Sequence, residues 1–144
     1  MFVEATAITI ITKSIDIKIN KISLLTIEEY KKYKKDIPLI DEWWWLQSPG
    51  YGNKVAFVHM DGSLNAAGCA FYHRYSAVRP ILKGFFDLNY TSFRFGGFDW
   101  IILDEEIAIC GSYLKMSRFD KESNSYENSE IKTYLENWLK ENLK

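Results

Sequence analysis

The side chains best suited to chemistry are few, and most sit near the middle of the chain. Cys69 and His73 stand four residues apart, and on an extended strand residues i and i+4 share a face. A thiol beside an imidazole is the minimum of a nucleophilic pair, with the imidazole drawing off the thiol proton. Such a pair needs a third group to orient the base, and no residue is placed for that role. His59 has one nearby carboxylate, Asp61. A metal centre needs more ligands than two cysteines and two distant histidines supply. No Gly-rich phosphate loop and no GxSxG elbow occurs. The expectation is therefore no catalytic residue, no metal and no cofactor. His59 and His73 are expected as exposed structural histidines, and Cys69 and Cys110 as buried free thiols.

Contact chemistry is better represented. Aromatic residues make up 16% of the chain, and three of its five tryptophans are consecutive, Trp43 to Trp45. Large rings dominate both cores and contact surfaces, so this excess divides between the two. On an extended strand Trp43 and Trp45 point one way and Trp44 the other. If Ala56 and Val58 face inward, alternation turns Phe57 and His59 outward. Tyr51, Asn53, Phe71, Tyr72, His73, Arg74 and Tyr75 lie in the same region. Tyr, Phe and Arg gathered on one surface are what protein-contact hot spots contain. These nine residues form the expected binding surface.

Bulk properties narrow the partners. The 144 residues carry a net charge of −1, with Lys+Arg 18 against Asp+Glu 19. A phosphate-backbone binder draws its affinity from a basic excess, and its absence argues against nucleic acid. The length fits one domain. The opening MFVEATAITIITK lacks the basic-then-apolar layout of a signal peptide. No run approaches the ~18 apolar residues of a membrane span. A reducing cytoplasm is the expected location.

The elements that must hold these residues are short. TAITIIT (6–12) is β-branched and reads as a strand, and Ile15, Ile17 and Ile19 alternate with polar residues in the next. Thr26 and Glu29 have the spacing of a capping box, opening a helix over EEYKKYKK that stops before Pro38. Its lysines read as a solvated helix face. VAFVHM (55–60) is a strand, Asp61-Gly62 a tight turn, and a second strand follows within 64–72. VRPIL (78–82) is an apolar run in which Pro80 requires an edge or a strand start. Residues 83–94 read as a connector. DWIIL pairs with Ile107–Cys110 across Asp104-Glu105-Glu106. The last segment is an amphipathic helix through Ile131, Tyr134, Leu135, Trp138 and Leu139, with Ser125 or Asn128 as its cap. The class is α+β.

Taken together, WWLQSPG (44–50), VHMDG (58–62) and VRPIL (78–82) resemble a bacterial and phage domain of unassigned function. Its signature is WWLRSPG, a V-x-x-DG strand and turn, and a closing VRPAL. FGGFDWIIL (95–103) and YENSEIKTYL (126–135) are similar to that family's opening strand and helix, and ICGSYLKMSRFD to the segment between them. The matches cover most of residues 22–143. The resemblance implies a C-type-lectin-like fold, related to formylglycine-generating enzymes and to retroelement-diversified variable proteins. Gln47 and Lys132 stand where the family has arginine.

The family has these halves in the opposite order. The resemblance therefore implies either a circular permutation or domain swapping. It divides the single domain 1–144 into a lectin-like half (1–82), a connector (83–94) that joins the family's usual ends, and an FGGFDW strand and C-terminal helix half (95–144). Neither cysteine falls in a segment matching the reactive pair of the enzyme branch. The calcium-binding EPN, QPD and WND triplets of the sugar-binding branch are absent. Fold alone carries no activity. The implied role is a non-enzymatic module of phage or prophage origin that binds a bacterial host protein, as an anti-CRISPR-like inhibitor of defence does. A diverged formylglycine-generating-type enzyme, a receptor-recognition module and a structural subunit, homodimeric through swapping, are the alternatives.

Overall fold

In the computed structural model, residues 8–12, 15–72 and 75–143 are described, with side chains from Ile17 onward. His73 and Arg74, both in the expected binding surface, lie outside the described residues. The strands are β1 (Ile8–Thr12), β2 (Ile15–Ser23), β3 (Trp44–Pro49), β4 (Lys54–Val58), β5 (Leu64–Ala70) and β6 (Ser76–Val78). They continue as β7 (Ile81–Phe86), β8 (Ser92–Phe95), β9 (Phe98–Asp104), β10 (Ile107–Cys110) and β11 (Lys115–Ser117), with helices α1 (Ile27–Tyr33) and α2 (Glu130–Asn142). They form two sheets, ordered β1-β2-β7-β10-β9-β8 and β11-β6-β3-β4-β5. The class is α+β, as the mixed pattern requires.

Two separate cores explain the tryptophan run. Trp45, Phe57, Val55, Leu82 and Trp100 belong to one, closed by Ile131, Leu135 and Leu139 of α2. Trp44, Leu46, Ala56, Val58, Ile81 and Ile109 belong to the other, with Tyr30 of α1. Both sheets send alternate residues into different cores. Strand alternation therefore sorts side chains between two apolar interiors rather than between interior and water. Trp44 goes to the α1 side and Trp45 to the α2 side, both fully buried, and Trp43 packs half-buried on the α2 side. The Ser48-Pro49-Gly50 stop has its own reason. A Cβ at Gly50 would lie 2.1 Å from the Ala67 carbonyl oxygen of β5.

The caps follow from side-chain chemistry. The Thr26 side chain accepts the Glu29 N–H and the Glu29 carboxylate accepts the Thr26 N–H, a complete capping box. α1 gives way to a 3-10 turn over Lys34–Asp36 before Pro38. Ser129, not Ser125 or Asn128, caps α2. Its Oγ accepts the Lys132 N–H at 3.0 Å and donates to the Tyr126 carbonyl at 2.8 Å. Ser125 instead precedes a separate 3-10 turn, Tyr126–Asn128.

The segment 83–94 is more structured than a connector. β7 continues to Phe86 as an interior strand between β2 and β10, and β8 is an edge strand hairpinned to β9. VRPIL is split as well. Its Val78 ends β6 in one sheet, its Ile81 begins β7 in the other, and Arg79-Pro80 makes the passage between them. Pro80 thus precedes a strand, where its missing N–H is harmless. Among the described residues, no helix is long and apolar enough to cross a membrane.

Candidate contact surface

The described residues expected at a binding surface lie on the β4–β5 hairpin and on the segments that flank it, and the structure divides them into three groups. Phe57 and Phe71 are not outward-facing. They are 1% and 7% exposed and belong to the α2-side core. The expectation failed because it assumed that one face of β4 meets water. Both faces are covered, so Ala56 and Phe57 are equally interior.

Tyr51 and Asn53 form a second group at the β3–β4 turn, both exposed. The Tyr51 N–H donates to the Ala67 carbonyl, and the Asn124 side-chain amide donates to the Gly52 and Lys54 carbonyls, which fixes this turn. Tyr72 is exposed just past the end of β5, on the segment that leads from β5 to β6. Its neighbour Phe71 anchors that segment, its carbonyl accepting the Phe119 and Asp120 N–H groups.

The third group lies at the opposite end of the hairpin. The His59 N–H donates to the Ser63 carbonyl across the Asp61-Gly62 turn. His59 is half-buried, edge-on to both Trp43 and Phe57 at 4.7 and 4.9 Å, and Trp43 stacks on Phe57 at 4.6 Å. Trp43, His59, Met60, Asp61 and Ser63 line a shallow groove. The exposed Leu39 reaches the same turn, since a Cβ at Gly62 would lie 2.9 Å from its side chain. Tyr75 immediately precedes β6, whose Ala77 N–H donates to the Trp43 carbonyl, so the exposed Tyr75 belongs to this end too. The two ends are separated by the length of β4, about 13 Å at ~3.3 Å per residue. The expected surface therefore spans both ends of the hairpin, with Phe57 and Phe71 buried beneath it.

Asp61 is committed to the turn. Its Oδ1 accepts the Ser63 N–H at 2.9 Å and the Ser63 hydroxyl at 2.7 Å, and these bonds hold its carboxyl below the ordinary range. Neither Cys69 nor Cys110 is in a disulfide. Cys110 is fully buried, and burial pushes its thiol pKa up. Cys69 is only half-buried, against the expectation of two buried thiols. Among the described residues, no group of three His, Cys, Asp or Glu side chains is placed to hold a metal ion.

Leu39, Met60 and Arg79 were not singled out by their sequence context. For Met60 the signal was its place beside the Asp61-Gly62 turn, since the tip of a hairpin is exposed. For Arg79 it was a single charge inside an apolar run. Arg79 is fully buried, and its Nε donates to the Cys110 carbonyl at 2.8 Å. Burial pulls its pKa down to about 10, which leaves it charged at neutral pH.

A larger groove lies elsewhere, about 760 Å³ between α1, β2 and β7, lined by Lys21, Glu29, Lys32, Tyr33, Lys83 and Glu105 among others. Its charges are partly matched internally. Lys83 pairs with Glu29 at 2.9 Å, and the Tyr33 hydroxyl donates to Asp104 beside it at 2.5 Å. No family model matches this chain, and neither a curated protein nor a solved structure matches it.

Proposed function

We propose that this chain is a non-enzymatic protein-binding module with a permuted C-type-lectin-like fold, and that it contacts a bacterial host protein through the tip of the β4–β5 hairpin. One observation carries the choice of surface. Leu39 and Met60 are 65% and 49% exposed at a tip lined by half-buried Trp43 and His59, and Tyr75, 62% exposed, precedes the strand whose Ala77 N–H bonds the Trp43 carbonyl. Tryptophan, tyrosine and methionine are enriched at interface centres, where rigid rings supply area at low entropic cost. This reading keeps His59 and Tyr75 from the expected surface, adds Trp43, Leu39 and Met60, and releases Phe57 and Phe71 to the core. The family resemblance supports a phage or prophage setting, and inhibition of a bacterial defence system is the role proposed within it.

The test is affinity capture from bacterial lysate with three proteins side by side. They are the wild type, a Leu39→Ala/Met60→Ala/Tyr75→Ala variant, and a Tyr51→Ala/Asn53→Ala variant from the other end of β4. The reading expects a specific protein held by the wild type and the second variant and lost by the first, with recombinant partner reproducing the loss in titration. Equal capture by all three would place the interface elsewhere.

A further inference from the structure

Among the described residues the two sheets have four edges, and three are closed by recognisable devices. An exposed sheet edge is a row of unpaired N–H and C=O groups, which proteins blunt with charges, bulges, short strands or covering segments. β8 carries Arg94, which pairs with Asp99 at 3.1 Å and bonds the Gly97 carbonyl at 2.9 Å. β5 has a positive-φ glycine, Gly68 at +89°, with a register shift opposite it, and its Ala67 carbonyl is already taken by the Tyr51 N–H. β11 is three residues long and begins with Lys115.

β1 has none of these. It is Ile-Thr-Ile-Ile-Thr, five residues without charge, proline or glycine. It pairs in unbroken antiparallel register with β2, Ile8↔Ile19 through Thr12↔Ile15. Among the described residues, no strand pairs with its other side.

We propose that β1 is a self-association edge, where two copies of this chain pair antiparallel about Ile10 and join their six-stranded sheets into one. The strand is self-complementary. Centred on Ile10, the pairing sets Ile10 against Ile10, Thr9 against Ile11 and Ile8 against Thr12. Every cross-strand pair is then β-branched, and no like charges oppose each other. The register keeps faces continuous. Ile8 stands opposite Ile19 and Ile10 opposite Ile17 in the β1–β2 register, and a pairing centred on Ile10 carries the same alternation into the joined sheet. A net charge of −1 puts little repulsion between two copies. The arrangement is an isologous two-fold contact and closes at two chains. A ladder this short buries less than a standard interface, so dissociation falls on the order of micromolar.

The test is sedimentation velocity on the full chain from about 1 µM to about 200 µM, with Ile10→Lys and Ile10→Glu variants whose folding is checked by thermal unfolding. The wild type should move from monomer to dimer. Each variant alone should stay monomeric, because identical charges meet at the centre, and an equimolar mixture of the two should pair. Hydrogen exchange on the unmodified chain, which needs no variant, should show β1 amide protection rising with concentration. It decides the case if the variants do not fold. A wild type monomeric throughout, open-ended aggregation, association unchanged in both variants, or β1 amides indifferent to concentration would each overturn the proposal.

Discussion

The Arg79 guanidinium stands 5.0 Å from the centroid of the Trp44 ring, and both side chains are shut away from water. Trp44 in turn meets Tyr30 of α1 edge-on at 5.5 Å, and the Tyr30 hydroxyl donates to the Gly62 carbonyl at the hairpin tip. One packed chain thus runs from the passage between the two sheets, through β3 and α1, to the turn that carries Met60. The proposed contact surface rests on the interior through these contacts.

Arg79 itself is imperfectly served. Its Nε has a partner, but among the described residues neither terminal nitrogen has a hydrogen-bond acceptor. Buried charges without full satisfaction contribute little, and apolar residues of similar volume often replace them without loss. Arg79→Met keeps the volume over Trp44 and should change unfolding free energy by no more than about 1 kcal/mol. Arg79→Ala leaves a cavity and should cost about 3 kcal/mol. Urea denaturation of both measures this. A methionine variant as damaged as the alanine one would mean that the charge, not the volume, holds the passage.

The two thiols should separate cleanly. Cys110 is fully buried with a raised pKa, so little thiolate forms and reagent cannot reach it. Cys69 is half-buried on edge strand β5. Native-state labelling with a thiol-reactive chromophore should modify Cys69 first and Cys110 only on unfolding. Rapid reaction of Cys110 in the folded protein would revive a thiol-enzyme reading.

Local chemistry was legible in the sequence, and layering was not. The Thr26/Glu29 capping box, the Asp61-Gly62 turn, the DWIIL hairpin and the C-terminal amphipathic helix all depend on neighbours within a few residues, and all are present. Phe57 was misplaced because alternation reports two faces without saying what covers each. The β4 sequence KVAFV is apolar at four successive positions, the pattern of a strand buried on both sides, and that was the signal available. The run of 83–94 holds the end of β7, in which Gly84 breaks the apolar pattern, and most of the short edge strand β8. That glycine is required by close approach, since a Cβ there would lie 1.8 Å from the Lys18 carbonyl oxygen of β2. The spread of the binding surface over two ends depended on strand order, and a parallel β3–β6 pair set Ala77, two residues after Tyr75, beside Trp43 and Trp44.

Asp120 predicts an acid-range dependence of stability. It is buried at 5% exposure, which alone would raise its pKa, but backbone N–H donors outweigh burial and lower it. Those donors are Glu122 and Ser123 on Oδ2 and Glu130, the first residue of α2, on Oδ1. A folded-state pKa below the unfolded one means that the unfolded chain binds more protons through that window. The contribution is then present above the ordinary carboxylate range near 4 and is lost as pH falls through the lowered value. Asp120→Asn should cost about 1–3 kcal/mol at neutral pH, and the gap between wild type and variant should narrow below about pH 4. Thermal unfolding from neutral to acid pH would measure it, and a gap independent of pH would remove the carboxylate from the account.

Phe57 and Met60 stand three residues apart and should answer mutation in opposite ways. Phe57 is 1% exposed, stacked under Trp43 inside the α2-side core, so Phe57→Ala should cost about 3–5 kcal/mol. Met60 is 49% exposed at the hairpin tip, and Met60→Ala should stay within about 0.5 kcal/mol of wild type. Its effect should appear in partner binding instead, where truncating a central apolar side chain costs about 1–2 kcal/mol, a several-fold to roughly thirtyfold loss of affinity. Denaturation and titration on the same two variants separate the roles. A Met60 variant that loses stability would make the hairpin tip part of the fold's own packing, and the exposed Leu39 beside it would then have to be explained without a partner.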